Sequence, residues 1–368
     1  MKRIKLSAAW FSEQEADAVA RVMKTGSVSM GRETQQFESE LLSFLGKPDA
    51  HVICVHSCTA ALLLATQACG IGAGDEVLIP TLTFVATFQA VKACGAVPVP
   101  CDVTDDGFID LSDAAESLTS RTKAIMPVLY AGCDSRIYDV YQFAEANNLR
   151  VIEDAAHCFG DENIANRDGI MCFSFDPIKN ISCGDGGCIL TSDSAIAKKL
   201  ADMRLLGVIG DTERRYSGQR SWDFDVTEQG WRLHMNDIAA AIGRTQLARF
   251  PQIRERRRRS AKMYMKALSA ISELQLFPIN TETAVPHIFP IIVKDGSRDG
   301  LQAFLAEAGI ETGVQYKPTH LLSYFDMGYD LPNAVRLYES MLSLPLHPLL
   351  SDNDGQYVID TIFRFFRK

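Results

Sequence analysis

The stretch VIEDAAHCFG (151–160), followed closely by CFSFDPIKNISCGDGG (172–187), decides how this chain is read. Residues 151–154 form a short apolar strand that ends in two carboxylates, Glu153 and Asp154. Residues 171–175 and 188–191 are two more buried strands. Between them lie Lys179 and the glycine-rich turn Gly184-Asp185-Gly186-Gly187. Upstream, apolar runs at 77–80, 97–101 and 124–129 alternate with helical patterns at 59–69, 84–94 and 137–147. The prolines of 97–101 put that strand near a sheet edge. Two further helices, 13–24 and 34–45, precede this series, the first opened by the capping box Ser12-Glu13-Gln14-Glu15. This β-α-β-α rhythm predicts an α/β unit with a mostly parallel sheet. In such sheets functional residues gather outside the carboxyl ends of the strands.

The pattern changes past residue 245. Residues 250–268 read as one long charged helix, 286–293 and 311–316 as strands, and 300–308 and 331–342 as helices. The expected organisation is a large α/β domain, 1–245, and a smaller α+β domain, 246–368, joined through the long helix.

Composition narrows the function classes. Lys plus Arg total 37 against 46 Asp plus Glu, so the net charge of −9 lacks the basic footprint of a nucleic-acid binder. The run RERRRR (254–259) encircles its helix without interleaved aromatics and reads as a solvated face with helix or subunit contacts. Near the N-terminus no apolar core of a signal peptide precedes Glu13, and no run approaches the length of a membrane span. The ten cysteines contain no CxxC pair. The expectation is a cytoplasmic protein with reduced, mostly buried thiols, no structural metal and no membrane partner.

Four local patterns can carry chemistry. Asp154, at a strand end before the small residues Ala155 and Ala156, can pair with a protonated ring nitrogen, although the same segment also reads as an ordinary strand-end loop. Lys179 sits between two buried strands; partial burial lowers a lysine pKa and frees the neutral amine as a nucleophile toward a carbonyl, whereas most loop lysines are simply solvated. Ser57-Cys58-Thr59 opens a helix, where hydroxyls and free amides can hold phosphate or merely cap the helix. Phe84 can offer a ring a flat face, or belong to the core. Together, a phosphate cradle, an aromatic face, a strand-end acid and a nucleophilic lysine are what pyridoxal 5'-phosphate (PLP) requires.

At this point the sequence resembles the DegT/DnrJ/EryC1/StrS group of sugar aminotransferases, PLP-dependent enzymes of the aspartate-aminotransferase fold (fold type I). The resemblance rests on GDEVLIPTLTFVAT (74–87), VIEDAAHCFG (151–160), CFSFDPIKNISCGDGG (172–187), MNDIAAAIGRTQL (235–247) and YKPTHLLSYF (316–325), five strings in the family's order. It implies that Lys179 holds the cofactor as a Schiff base and shuttles a proton, and that Asp154 bonds the pyridine nitrogen. His157 would approach the phenolic oxygen and Phe84 would stack on the ring. Ser174, Cys58 and Thr59 would hold the phosphate. Cys58 stands where the family usually has glycine. Arg232 stands where it often has an asparagine that reaches the neighbouring subunit's phosphate, and arginine can serve there with more charge. Tyr316 and His320 match a region near the sugar pocket. Arg214, Arg215 and Arg220 lie in a polar loop that can supply the donor-carboxylate site.

The resemblance further implies a homodimer, L-glutamate as amino donor, and a ketosugar acceptor, usually nucleotide-linked, destined for lipopolysaccharide, other surface polysaccharide or related amino sugars. An alternative is a transaminase forming 8-amino-3,8-dideoxy-octulosonate (8-amino-Kdo). Dehydratases of the same fold carry histidine in place of the lysine, and Lys179 counts against that reading. A PLP-binding regulator without turnover is the third alternative. A nicotinamide enzyme fits poorly, because no G-x-G-x-x-G follows a first strand.

Overall fold

The computed structural model describes residues 3–133, 136–219 and 221–367. Seven strands form the main sheet: β1 (His51–Val55), β2 (Glu76–Pro80), β3 (Val97–Cys101), β4 (Thr122–Ile125), β5 (Arg150–Asp154), β6 (Ile170–Ser174) and β7 (Gly187–Thr191). Their order is β1-β7-β6-β5-β4-β2-β3. From β6 to β3 every neighbouring pair is parallel, and β7 runs antiparallel to both β6 and β1. Strands β2, β6 and β7 are buried along their whole length, which is why they read as unbroken apolar runs rather than alternating ones. Pro98 and Pro100 place β3 at the sheet edge, as its sequence implies.

Helix Cys58–Ala68 crosses β5, β6 and β7 and is buried over most of its length. Helix Glu13–Lys24 opens with the expected capping box: Ser12 N–H donates to Glu15 Oε2 at 2.7 Å. The other oxygen of Glu15 accepts from Arg249 and Gln246, each at 2.6 Å, and so ties this helix to helix Asp237–Ala248.

Three antiparallel strands, β8 (Leu274–Leu276), β9 (Phe289–Val293) and β10 (Met341–Leu344), form a second sheet of order β10-β9-β8. Helices Phe250–Leu268, Arg298–Glu307, Pro332–Ser340 and Asp352–Phe366 accompany it. Its core also takes in Leu82, Val103 and Tyr130 from loops of the main sheet, so the two sheets are packed through shared apolar contacts.

Several local expectations change. Residues 311–316 are not a strand; only Gly313 forms a bridge, to Ser343. The helix expected at 331–342 stops at Ser340, and Met341 begins β10, because pairing with β9 claims the apolar residues 341–344. The helix expected from residue 84 starts at Ala86 and leaves Phe84 on a turn. Strands β1 and β8 and helices Leu111–Glu116, Ser194–Met203, Asp211–Tyr216, Asp237–Ala248 and Asp352–Phe366 were not read in the sequence. Within the arginine run Arg257 is buried, while Arg256, with Arg249, stacks on Trp10. Among the described residues no helix is long and apolar enough to cross a membrane.

Candidate active site

Beyond the carboxyl ends of β5 and β6, and facing the N-terminus of helix Cys58–Ala68, lies a cavity of about 210 Å³. Asp154 ends β5 and is buried in its wall. Thr87 donates to its Oδ2 at 2.8 Å, and the Ala156 N–H donates to Oδ1 at 3.2 Å. Thr87 is itself held by Thr83 at 2.8 Å. Burial raises the Asp154 pKa, and the Thr87 and Ala156 hydrogen bonds oppose that rise. Among the described residues no basic side chain forms an ion pair with Asp154.

Lys179 projects from the loop between β6 and β7. The loop is pinned where Asn180 Nδ2 donates to Phe159 O and Val285 O, at 2.5 and 2.7 Å, and where Arg257 donates to Lys179 O at 2.9 Å. Burial pushes the Lys179 amine down to about 8, against the opposing pull of Asp154. Its Nζ lies 3.3 Å from His287 Nε2.

His157 follows β5 and is buried. The Ala131 N–H points at its Nδ1 at 3.2 Å, so Nδ1 is the acceptor and the proton sits on Nε2, 3.2 Å from the Tyr316 hydroxyl. Burial, reinforced by the Lys179 charge, holds its pKa well below the usual range and keeps the ring neutral.

Cys58 and Thr59 are the first two residues of their helix, where backbone N–H groups have no intrahelical acceptor. Ser57 caps the helix through the Ala60 N–H at 3.2 Å. Ser174 and Gly186 line the same end of the cavity. Gly187 allows this approach: a Cβ there would stand 2.7 Å from both Cys58 N and Phe173 O. The Cys58 thiol lies 3.7 Å from Cys172 O, and burial raises its pKa, so it is a neutral small side chain where glycine was expected. Phe84, 57 % exposed, and Tyr316 border the cavity with ring centroids 5.7 Å apart.

These residues fit PLP. A buried carboxylate without an ion-pair partner suits a protonated ring nitrogen, open helix N–H groups suit a phosphate, and a lysine amine near 8 suits a carbonyl.

The structure thus gathers Cys58, Thr59, Phe84, Asp154, His157, Ser174, Lys179 and Tyr316 around one cavity. Arg232 is exposed before helix Asp237–Ala248 and does not line the cavity of its own chain. His320 does not line it either; it is buried with Nδ1 2.8 Å from Thr81 Oγ1. Arg215 pairs with Asp211, and Arg214 donates to Ile209 O; Arg220 lies outside the described residues. Thr87 and His287 were not read from the sequence. Thr87 was in view within the quoted string TFVAT, whereas nothing in the sequence near His287 points to the lysine.

A model of the DegT/DnrJ/EryC1/StrS aminotransferase family matches residues 11–363. The spore coat polysaccharide biosynthesis protein SpsC of Bacillus subtilis (strain 168) is 33% identical over 366 residues, covering 95% of this chain and 94% of SpsC. The crystal structure of the aminotransferase TlmJ from Streptoalloteichus hindustanus superposes with a TM-score of 0.88 at 31% identity, over 98% of each chain. Spr1654 from Streptococcus pneumoniae, solved in a PLP form, superposes with a TM-score of 0.90 at 27% identity, over 100% of this chain and 99% of that one. The fold, the cavity and these matches agree: the chain belongs to the DegT/DnrJ/EryC1/StrS aminotransferase family and is a PLP-dependent sugar aminotransferase.

Proposed function

We propose that this enzyme moves the amino group of L-glutamate onto a nucleotide-linked ketosugar, for surface polysaccharide or a related amino-sugar product, and that it works as a cytoplasmic homodimer. The observation that carries the reading is the placement of the Lys179 amine, near 8, and the buried Asp154 carboxylate on one small cavity. Family membership supports an amino donor and a sugar acceptor, the resemblance read from the sequence points to glutamate as that donor, and the name of SpsC supports a polysaccharide product.

When bound, PLP supplies a carbonyl that exchanges for an amine and a ring that takes up an electron pair. The chain's residues do the rest. Asp154, oriented by Thr87 and Ala156, would accept a hydrogen bond from the ring nitrogen and favour its charged form. Near pH 8 the neutral Lys179 Nζ would take a proton from the donor's α-carbon and then give it back, as a shuttle. Cys58, Thr59 and Ser174 would hold the phosphate, and Phe84 would stack on the ring. His157 offers its Nε2–H toward the ring's oxygen or Tyr316. Arg232 would act across the dimer boundary. Tyr316, on the cavity, would meet the sugar, while His320 bonds Thr81 away from the cavity lining.

The test is the absorbance spectrum of purified protein with PLP, before and after L-glutamate, followed by addition of candidate ketosugars. A yellow band that bleaches with glutamate and returns only with a nucleotide ketosugar is expected. A band that glutamate leaves untouched overturns the donor, and return with free octulosonate aldehyde alone overturns the nucleotide.

A further inference from the structure

His287 belongs to the run before β9, in the second sheet, yet its imidazole lies on the active-site lysine. It is buried, and its ring packs edge-on against His157 at 4.3 Å between centroids. Its Nδ1 has no hydrogen-bond partner among the described residues, so its polar contact is the one at Nε2, 3.3 Å from Lys179 Nζ. A buried histidine with only a structural role ordinarily satisfies its polar atoms elsewhere. Arg257 holds both partners by their backbones: its guanidinium donates to Lys179 O at 2.9 Å and to His287 O at 3.4 Å, with Leu346 O as a third acceptor at 3.2 Å. One buried arginine thus sets the separation of the two residues.

We propose that His287 is a positioning residue for Lys179: Nζ donates to His287 Nε2, and this contact holds the amine against the cavity and shares the proton that the amine carries. The step moves one proton and no electrons; the N–H that forms when Nζ takes up a proton finds the Nε2 lone pair. Burial and the charges of Lys179 and Arg257 keep His287 neutral, as an acceptor must be. The other groups facing Lys179 are Asp154 and His157 beyond β5, Cys58 on the facing helix, Asp176 on its own loop, Tyr316 at the cavity mouth and Arg257 behind. None of these accepts a hydrogen bond from Nζ. The inference rests on Lys179 being the lysine that binds the cofactor.

The experiment uses full-length protein stripped of cofactor. Competitive acetylation with acetic anhydride, read by peptide mass spectrometry, gives the titration midpoint of Lys179. His287→Gln keeps an acceptor near the Nε2 position, His287→Asn is too short to reach, and His287→Phe has none. The midpoint is expected to stay with Gln and to fall by about one pH unit with Asn and Phe, since the charged amine loses its acceptor. In the loaded enzyme, kcat should fall about tenfold or more with Asn and Phe, with KM for the donor little changed, and Gln should restore it. An Asn variant that titrates like wild type, or a Gln variant that moves as far as Asn, overturns the proposal; this pair decides even if the Phe variant does not fold. Borohydride reduction of the PLP-loaded wild type separates the two readings. An adduct on another lysine overturns the role of Lys179, whereas an adduct on Lys179 with unchanged midpoints overturns only the role of His287.

Discussion

Lys179 carries the first predictions, because its chemistry depends on charge. Lys179→Ala should abolish turnover while leaving the fold intact, checked by the glutamate half-reaction and circular dichroism. Below its midpoint of about 8 the amine is protonated and cannot attack a carbonyl. Each unit lower leaves about tenfold less neutral amine, so PLP uptake by the stripped protein should climb with pH and level off above about 8. An ordinary lysine would keep gaining toward about 10.4; stopped-flow absorbance distinguishes the two profiles. Asp154→Asn should still take up PLP but lose about a hundredfold or more in proton abstraction, because the ring nitrogen loses its charged partner. Single-turnover kinetics with glutamate measure this loss. Asp154 and Lys179 were legible because each sits in a distinctive string, Asp154 at a strand end and Lys179 on the loop between two buried strands. Thr87 and His287 were not, because their meaning lies in contacts 67 and 108 residues away in the chain.

Elements were legible where their limits are written locally. Helix Glu13–Lys24 has its capping box, and helix Phe250–Leu268 has Pro251 in its first turn; both have the expected bounds. The change from helix to strand at Met341 has no Pro or Gly to mark it and is decided by β9, far away in sequence. Strand β1 was similarly hidden, since its partner β7 follows after more than a hundred residues. The close approach of β7 to helix Cys58–Ala68 gives a prediction at this scale. Gly187→Ala would force a methyl against Cys58 N and Phe173 O, both 2.7 Å away. It should cost about 1–3 kcal/mol of stability and weaken PLP binding by displacing the phosphate end of the cavity. Denaturant titration and PLP titration read the two effects.

At the scale of the whole molecule, the described residues of segment 206–231 leave several large apolar side chains exposed: Trp222 at 86 %, with Phe224 and Val226 beside it in sequence and Leu206 and Trp231 at the segment's two ends. Exposed apolar surface of this kind suits a protein contact, and the same segment leads into Arg232. Light scattering should give twice the mass of one chain. Trp222→Glu combined with Phe224→Glu should shift that mass toward a single chain and lower PLP affinity, whereas unchanged mass would remove these side chains from the dimer contact. The guanidinium of Arg257, which joins Lys179 to His287 and Leu346, has a consequence for how the enzyme is made. A ribosome delivers Lys179 and Asp154 well before the arginine, the histidine and Tyr316 that complete their surroundings. If the late residues are what hold the lysine in place, a chain cut short before Arg257 should take up PLP poorly or not at all, and the yellow absorbance band of full-length and shortened chains reads the difference.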